Sequence, residues 1–295
     1  MMLPVERSVK LLAIILLCAS SSRAQVNVLQ PFKGVTLTQE VRSDPPLHLH
    51  ILQINLSDPG ISFYVSRGGV PDPHGAWTTI LQTVRTMAER DQLDIAINAN
   101  FFSARETRTL FGQVYKYPLG SLATVSGAAM SDGVLWSKPD EVHPSLVVDK
   151  DGKISIGYFA KLPAQARQVV SGSYALVTDG KAIAERKEVA PHTAVGIDQA
   201  GKMLTILVVD GRRPTYSAGL DCHDMGAELL RLGCYNAINL DGGGSSTLVL
   251  RDCKTGQWNV MNRPSDGYQL TIPLSIERPV ACALGIRVAA PKASN

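Results

Sequence analysis

Short apolar runs that alternate at period two, each closed by a turn rich in glycine or aspartate, recur along this chain and commit much of it to antiparallel sheet. Gln53-Ile54-Asn55-Leu56 and Ile61-Ser62-Phe63-Tyr64-Val65 flank Asp58-Pro59-Gly60, which reads as an early hairpin. Leu146 to Asp149, Ile154 to Tyr158, Ala175 to Thr178, Val195 to Asp198 and Leu204 to Asp210 are further strand-like runs. Asp151-Gly152, Asp179-Gly180 and Gln199-Ala200-Gly201 supply turns between them. Helical spacing is rarer. Ile80, Val84, Met87 and Ala88 predict an amphipathic helix over Thr78 to Arg90, and a second runs from Asp221, a candidate N-cap, through Met225, Leu229 and Leu230 to Gly233. No linker or low-complexity segment interrupts residues 25 to 288. The expected fold is therefore one α+β domain over residues 25–295, with largely antiparallel or mixed β-sheet and a few amphipathic helices.

The first 24 residues read as an export signal rather than part of that domain. Arg7 and Lys10 precede the apolar run Leu11 to Leu17, and Ser22-Arg23-Ala24 places small residues where a signal peptidase cuts. An exported chain, periplasmic or secreted, with no stable membrane insertion after cleavage is the expectation. The segment carries three basic side chains and one acidic, so its removal leaves 26 against 25. So balanced a charge gives no field for neutralising phosphate backbones, which argues against a nucleic-acid partner. Four cysteines remain, Cys222, Cys234, Cys253 and Cys282; free thiols and three disulfide pairings all stay open.

Chemistry concentrates where polar residues interrupt apolar strands. Two strands end in Asp-Gly, at Val209-Asp210-Gly211 and Leu240-Asp241-Gly242, and a carboxylate at the rim of a core can be tuned by desolvation. Asp210 and Asp241 are the candidate catalytic groups. Three glycines and two serines follow Asp241, and the bend Gly242, Gly243, Gly244, Ser245 and Ser246 suggests a nest of backbone N–H groups for an anion or a sugar oxygen. Arg212 adds a guanidinium fork, while Asn98 and Asn100 share one face of an otherwise apolar strand. His48 and His50 alternate without a third ligand at metal spacing, so no zinc site is expected.

Asn98-Ala99-Asn100-Phe101-Phe102, Ser171-Gly172, Pro191-His192-Thr193-Ala194, Val209-Asp210-Gly211-Arg212, Asn239 to Ser246 and Asn262-Arg263-Pro264 together resemble the phosphodiester glycosidase family, in the same order. The chain departs from it twice. Ala99 and Asn100 replace glycines of the family's first motif, and His192 stands for the arginine of its Pro-Arg-Thr-Ala element. The resemblance implies hydrolysis of a sugar-1-phosphodiester, with an envelope or extracellular glycan as the expected substrate. It assigns Asp241 or Asp210 to activating water or stabilising the sugar cation. Gly242 to Ser246, Arg212 and His192 would hold phosphate, and Asn98, Asn100 and Asn262 sugar hydroxyls, with Thr193 and Asn239 beside them. No cofactor is required by that scheme, although a divalent cation such as calcium or magnesium is admissible. Two rival readings stay open: a catalytically altered glycan-binding or exopolysaccharide-assembly protein, and a metal-dependent phosphodiesterase using Asp210 and Asp241 as ligands.

Overall fold

The computed structural model describes residues 24–71, 75–108, 114–266 and 275–289. Residues 1–23 of the expected export signal, and His74, lie outside them. Among the described residues the chain forms twenty-three strands and two α-helices, Val84–Arg90 (α1) and Cys222–Arg231 (α2). The α+β expectation is thereby overturned: the molecule is mainly β. Part of the reason lies at α1. Thr83 caps it by accepting the Thr86 N–H, and the preceding Thr79–Ile80 is drawn instead into a pairing with strand Leu122–Val125.

The largest sheet runs Gln25–Phe32, Val35–Ser43, Pro46–Asn55, Met203–Val209, His192–Ile197, Asn236–Asn239, Tyr174–Thr178, Lys181–Ala182, antiparallel throughout. A second runs Trp258–Val260, Leu248–Arg251, Ile95–Asn98, Cys282–Val288, Ile61–Arg67. The third is built on Ala166–Ser171 and Ser145–Asp149. The expected early hairpin does not form. Pro46–Asn55 belongs to the first sheet and Ile61–Arg67 to the second, so Asp58-Pro59-Gly60 turns a corner between them. Alternation fixes the face a side chain takes, not its partner strand; Ile54 and Val65 both reach one core.

That core lies between the three sheets and holds Ile206, Val208 and Ile238 from the first, Ile95, Ile97 and Leu284 from the second, and Leu146 and Val170 from the third. The helices cover the outer faces. Met87 and Ala88 of α1 pack with Ala96 and Ala283, and Met225 and Leu229 of α2 with Leu207, Val209 and Ala237. Met203–Val209 is thus buried on both sides, which is why it reads as a nearly unbroken apolar run. Each such side chain contributes roughly 1.5–3 kcal/mol by burial. Each helix also feeds a central strand ending in asparagine, Asn98 after α1 and Asn239 after α2. Cys222, Cys234 and Cys282 are buried and Cys253 exposed, all as free thiols. No helix among the described residues is long and apolar enough to cross a membrane.

Candidate functional site

Strand register brings the candidate residues to one end of the large sheet. Leu49 pairs with Val209, Val209 with His192, and Ala194 with Asn239, so Asp210, His192 and Asp241 lie at neighbouring strand ends. A cleft of about 230 Å³ opens there. Six of the sequence-predicted residues line it: His192, Arg212, Asn239, Asp241, Gly242 and Gly243.

Asp241 accepts the Gly242 N–H at 2.9 Å. Burial pushes its carboxyl up from 3.8 to about 6, against the opposing pull of the Ser245 hydroxyl, the Arg278 charge and the Gly242 amide. Near neutral pH the group is mostly ionised yet basic enough to take a proton. That is the balance a general base needs.

The glycine bend does not work as the expected anion nest. The Gly243 N–H bonds Pro191 O at 2.8 Å, while those of Ser245 and Ser246 bond Gly242 O and Gly243 O. With Gly242 on the Asp241 carboxylate, these amides hold the turn itself. The glycines serve a different end. Gly243 adopts φ +61, and a Cβ there would start 3.0 Å from both terminal nitrogens of Arg212. A Cβ on Gly244 would collide with the Arg278 guanidinium. Bare backbone therefore lets two guanidinium groups lie against the loop that follows Asp241. Arg212 itself sits at φ +59, an uncommon conformation for a non-glycine residue. Arg278 is held by Asp266 at 2.7 Å and lies 4.4 Å over the Tyr117 ring. Arg186 completes a set of three arginines, with Glu188 2.8 Å from it.

His192 lies beside the bend, its Nδ1 3.5 Å from where a Cβ on Gly242 would sit. Its Nδ1 is 3.1 Å from Asn239 Oδ1, whose own amide donates to Ser173 Oγ. Burial lowers its pKa from 6.5, so the ring is neutral at neutral pH and carries no charge in place of the family's arginine. Tyr174 OH lies 2.6 Å from Cys222 Sγ, and burial raises the pKa of both groups, leaving them protonated.

The remaining predicted residues lie beneath or behind the cleft. Asn98 is a clamp: its Oδ1 accepts from Thr193 Oγ1 at 2.8 Å and the Thr247 N–H at 3.0 Å, and its Nδ2 donates to Asp241 O at 2.5 Å. Asn100 donates to Ser126 O and Ala128 O and accepts the Ser171 N–H. Asn262 donates to Asp210 Oδ1 and Ser246 O and accepts the Leu248 N–H. These buried amides join strands rather than face the cleft. Asp210 does not line it either: Tyr216 OH, His50 Nε2, Asn262 Nδ2 and the Arg263 N–H surround its two oxygens. Gly244, Ser245 and Ser246, the later half of the bend, are buried and do not line the cleft.

Sequence reasoning missed Arg278, Arg186, Tyr174, Cys222, Glu188 and Phe101 as cleft residues. Arg186 and Glu188 sit in an alternating-charge stretch that reads as solvated surface, and Arg278 follows no strand pattern. Only the deviation of Gly244 from any need for a turn of its own carried a trace of Arg278.

Residues 91–287 match the sequence model of the phosphodiester glycosidase family. The chain is 28% identical over 228 residues to the SPbeta prophage-derived uncharacterized protein YomE of Bacillus subtilis, covering 68% of this chain and 30% of that protein. It is 38% identical over 86 residues to bovine N-acetylglucosamine-1-phosphodiester alpha-N-acetylglucosaminidase, covering 26% of this chain and 16% of that protein. The chain thus spans less than a third of the length of these two relatives. Among solved structures, the catalytic domain of the zebrafish enzyme of that name, auto-inhibited by its pro-peptide, superposes with TM-score 0.62 at 21% identity, covering 92% of this chain and 85% of that one. A putative exported protein from Burkholderia pseudomallei gives 0.56 at 16% identity, covering 82% and 74%. At these identities the two structures speak for the fold.

Proposed function

Because the chain belongs to the phosphodiester glycosidase family, we propose that it hydrolyses the bond between a sugar's anomeric carbon and a phosphodiester oxygen, as an exported enzyme acting on an envelope or extracellular glycan. The observation that carries this reading is the pairing, in one cleft, of the Asp241 carboxylate, shifted to about 6, with the guanidinium groups of Arg212 and Arg278, while Arg186 is paired with Glu188. Cleavage builds positive charge on the ring and leaves negative charge on phosphate, so it needs a carboxylate at one side and donors at the other. Asp241 takes the first role, removing a proton from the water that attacks the anomeric carbon. Arg212 and Arg278 take the second, each set against the loop that follows Asp241. The phosphomonoester that departs is a weak base, so one carboxylate suffices and no protonating acid is required.

Asp210, with both oxygens engaged by protein donors, does not join Asp241 in presenting a pair of cation ligands. With Glu188 engaged by Arg186, the Asp241 carboxylate beside guanidinium groups suits an anion better than a hard cation, and the scheme is proposed without a cofactor. Hydrolysis of an N-acetylglucosamine-1-phosphodiester in ¹⁸O-water, with and without chelator, tests it. Label on the sugar is the expected result, and label on the phosphate would refute it. Export is supported by Arg7, Lys10 and the apolar run to Leu17, and sequencing of the amino terminus of the secreted protein checks cleavage after Ala24.

A further inference from the structure

A second hollow, larger than the cleft at about 500 Å³, lies at the same end of the large sheet. Its lining is unlike the cleft's: amides of Gln25, Asn27 and Gln39, with His50, Tyr216 and Arg263. Side-chain amides both donate and accept, as sugar hydroxyls do, so a row of them matches a polyol. Volumes of roughly 300–1,000 Å³ are those of small-molecule sites.

Its charges are few and mostly cancelled. Glu40 is paired with Arg42 and Arg231, and the buried Asp210 beneath it is surrounded by donors. His48, stacked on Tyr216 at 3.7 Å, has its pKa lowered by burial and is neutral. Arg263 is exposed, its guanidinium resting 4.3 Å over the Tyr216 ring, and supplies a cation at the rim. His50 Nδ1 is buried with no hydrogen-bond partner among the described residues.

The hollow and the cleft share a wall. Asn262, which lines the hollow, donates both to the buried Asp210 Oδ1 and to Ser246 O of the glycine bend, and Arg212, two residues after Asp210, lines the cleft. Leu49, Val209 and His192 stand in one cross-strand row, with the Asn239 strand next. Four interstrand spacings separate the Gln39 strand from the strand that leads to Asp241, and five the Asn27 strand, about 19–24 Å. One extended ligand can reach across both.

Resting on the hydrolase reading above, we infer that the hollow is a subsite for a distal repeat of a polymeric glycosyl phosphate, with the remaining donors and acceptors of the Asn27 and Gln39 amides, which bond each other at 3.2 Å, on its sugar hydroxyls and Arg263 on its phosphate. The substrate class is then a polymer rather than a small phosphodiester.

The test compares the methyl phosphodiester of N-acetylglucosamine-1-phosphate with a trimer of the same phosphodiester-linked unit, using the full chain and its Asn27→Ala/Gln39→Ala/Arg263→Ala variant. The expected result is a KM for the trimer raised about tenfold or more, the loss of one or two hydrogen bonds, with kcat/KM for the methyl compound unchanged. Equal effects on both substrates, or on neither, overturn the subsite. If the unaltered protein cleaves neither compound, the hydrolase reading fails on its own, and trimer binding measured by calorimetry decides the subsite. Binding weakened in the variant sustains it, and equal binding refutes it. An unchanged thermal midpoint shows that the variant is folded.

Discussion

Replacing Asp241 with asparagine should stabilise the fold while abolishing turnover. Burial raises the carboxyl from 3.8 to about 6, so holding it ionised in the native state costs about 3 kcal/mol at 1.36 kcal/mol per unit. The folded pKa lies above the unfolded one. The favourable contribution is therefore complete below about pH 4 and is lost as pH rises through about 6. Asparagine does not titrate, so the wild-type protein should lose about 2.4 kcal/mol relative to the variant between pH 4 and pH 7. The asparagine Oδ1 can still accept the Gly242 N–H, but its amide hydrogens gain no designed acceptor, which costs about 1 kcal/mol. At pH 7 the variant is expected to be the more stable by roughly 2 kcal/mol. Urea unfolding of both proteins from pH 4 to pH 8 measures the difference. Hydrolysis should fall at least about 100-fold in the variant, the contribution of a general base. A stability difference that stays flat across that range, or a variant that keeps its rate, would refute the reasoning.

Three further outcomes follow from named contacts. Arg278→Gln removes a positive charge that opposes the raised Asp241 pKa, so the acid limb of the pH–rate profile should move to higher pH while KM rises. Gly243→Ala forces a side chain into φ +61 against Arg212, and should cost about 1–2 kcal/mol in denaturant unfolding together with weaker phosphate binding. Asn98→Ala strands the Thr193 hydroxyl and Thr247 amide in the core. It should lower stability by about 3 kcal/mol, with KM for the methyl phosphodiester unchanged in the folded fraction.

Sequence reasoning located the cleft but misassigned how its parts work. Asp241 and Arg212 were visible because charge or glycine clustering at a strand end has few structural uses, and His192 only through the family motif it interrupts. Asn98, Asn100 and Asn262 gave the same signal for a different reason. A buried amide joining two strands and an amide awaiting a ligand look alike until their partners are known. Asp210 shows the ambiguity at its sharpest: its strand ends like that of Asp241, yet His50, Tyr216, Asn262 and Arg263 close around it. Period two marked the strands well, while their partners were hidden. Nothing local tells Ile61–Arg67 to leave the sheet of Pro46–Asn55, because the choice is made by Cys282–Val288, more than two hundred residues later.

The same long-range joining gives Asp241 its precision. Its N–H donates to Ala99 O at 2.9 Å and its C=O accepts from Asn98 Nδ2, so both backbone groups are fixed by the strand end of the opposite sheet. Thr193, beside His192, bonds the same Asn98. The carboxylate is therefore left with side-chain rotation alone, and Gly242 restrains that. In the role proposed for it, a carboxylate held this way needs little reorganisation on reaching the transition state, which is where preorganised electrostatics act. The two central strands that end in Asn98 and Asn239 meet tip to tip at this point, each delivered by its own helix. The catalytic geometry is thus a property of the packing between sheets: loosening the Asn98 clamp should unfold the protein before it leaves an intact fold with a misplaced Asp241.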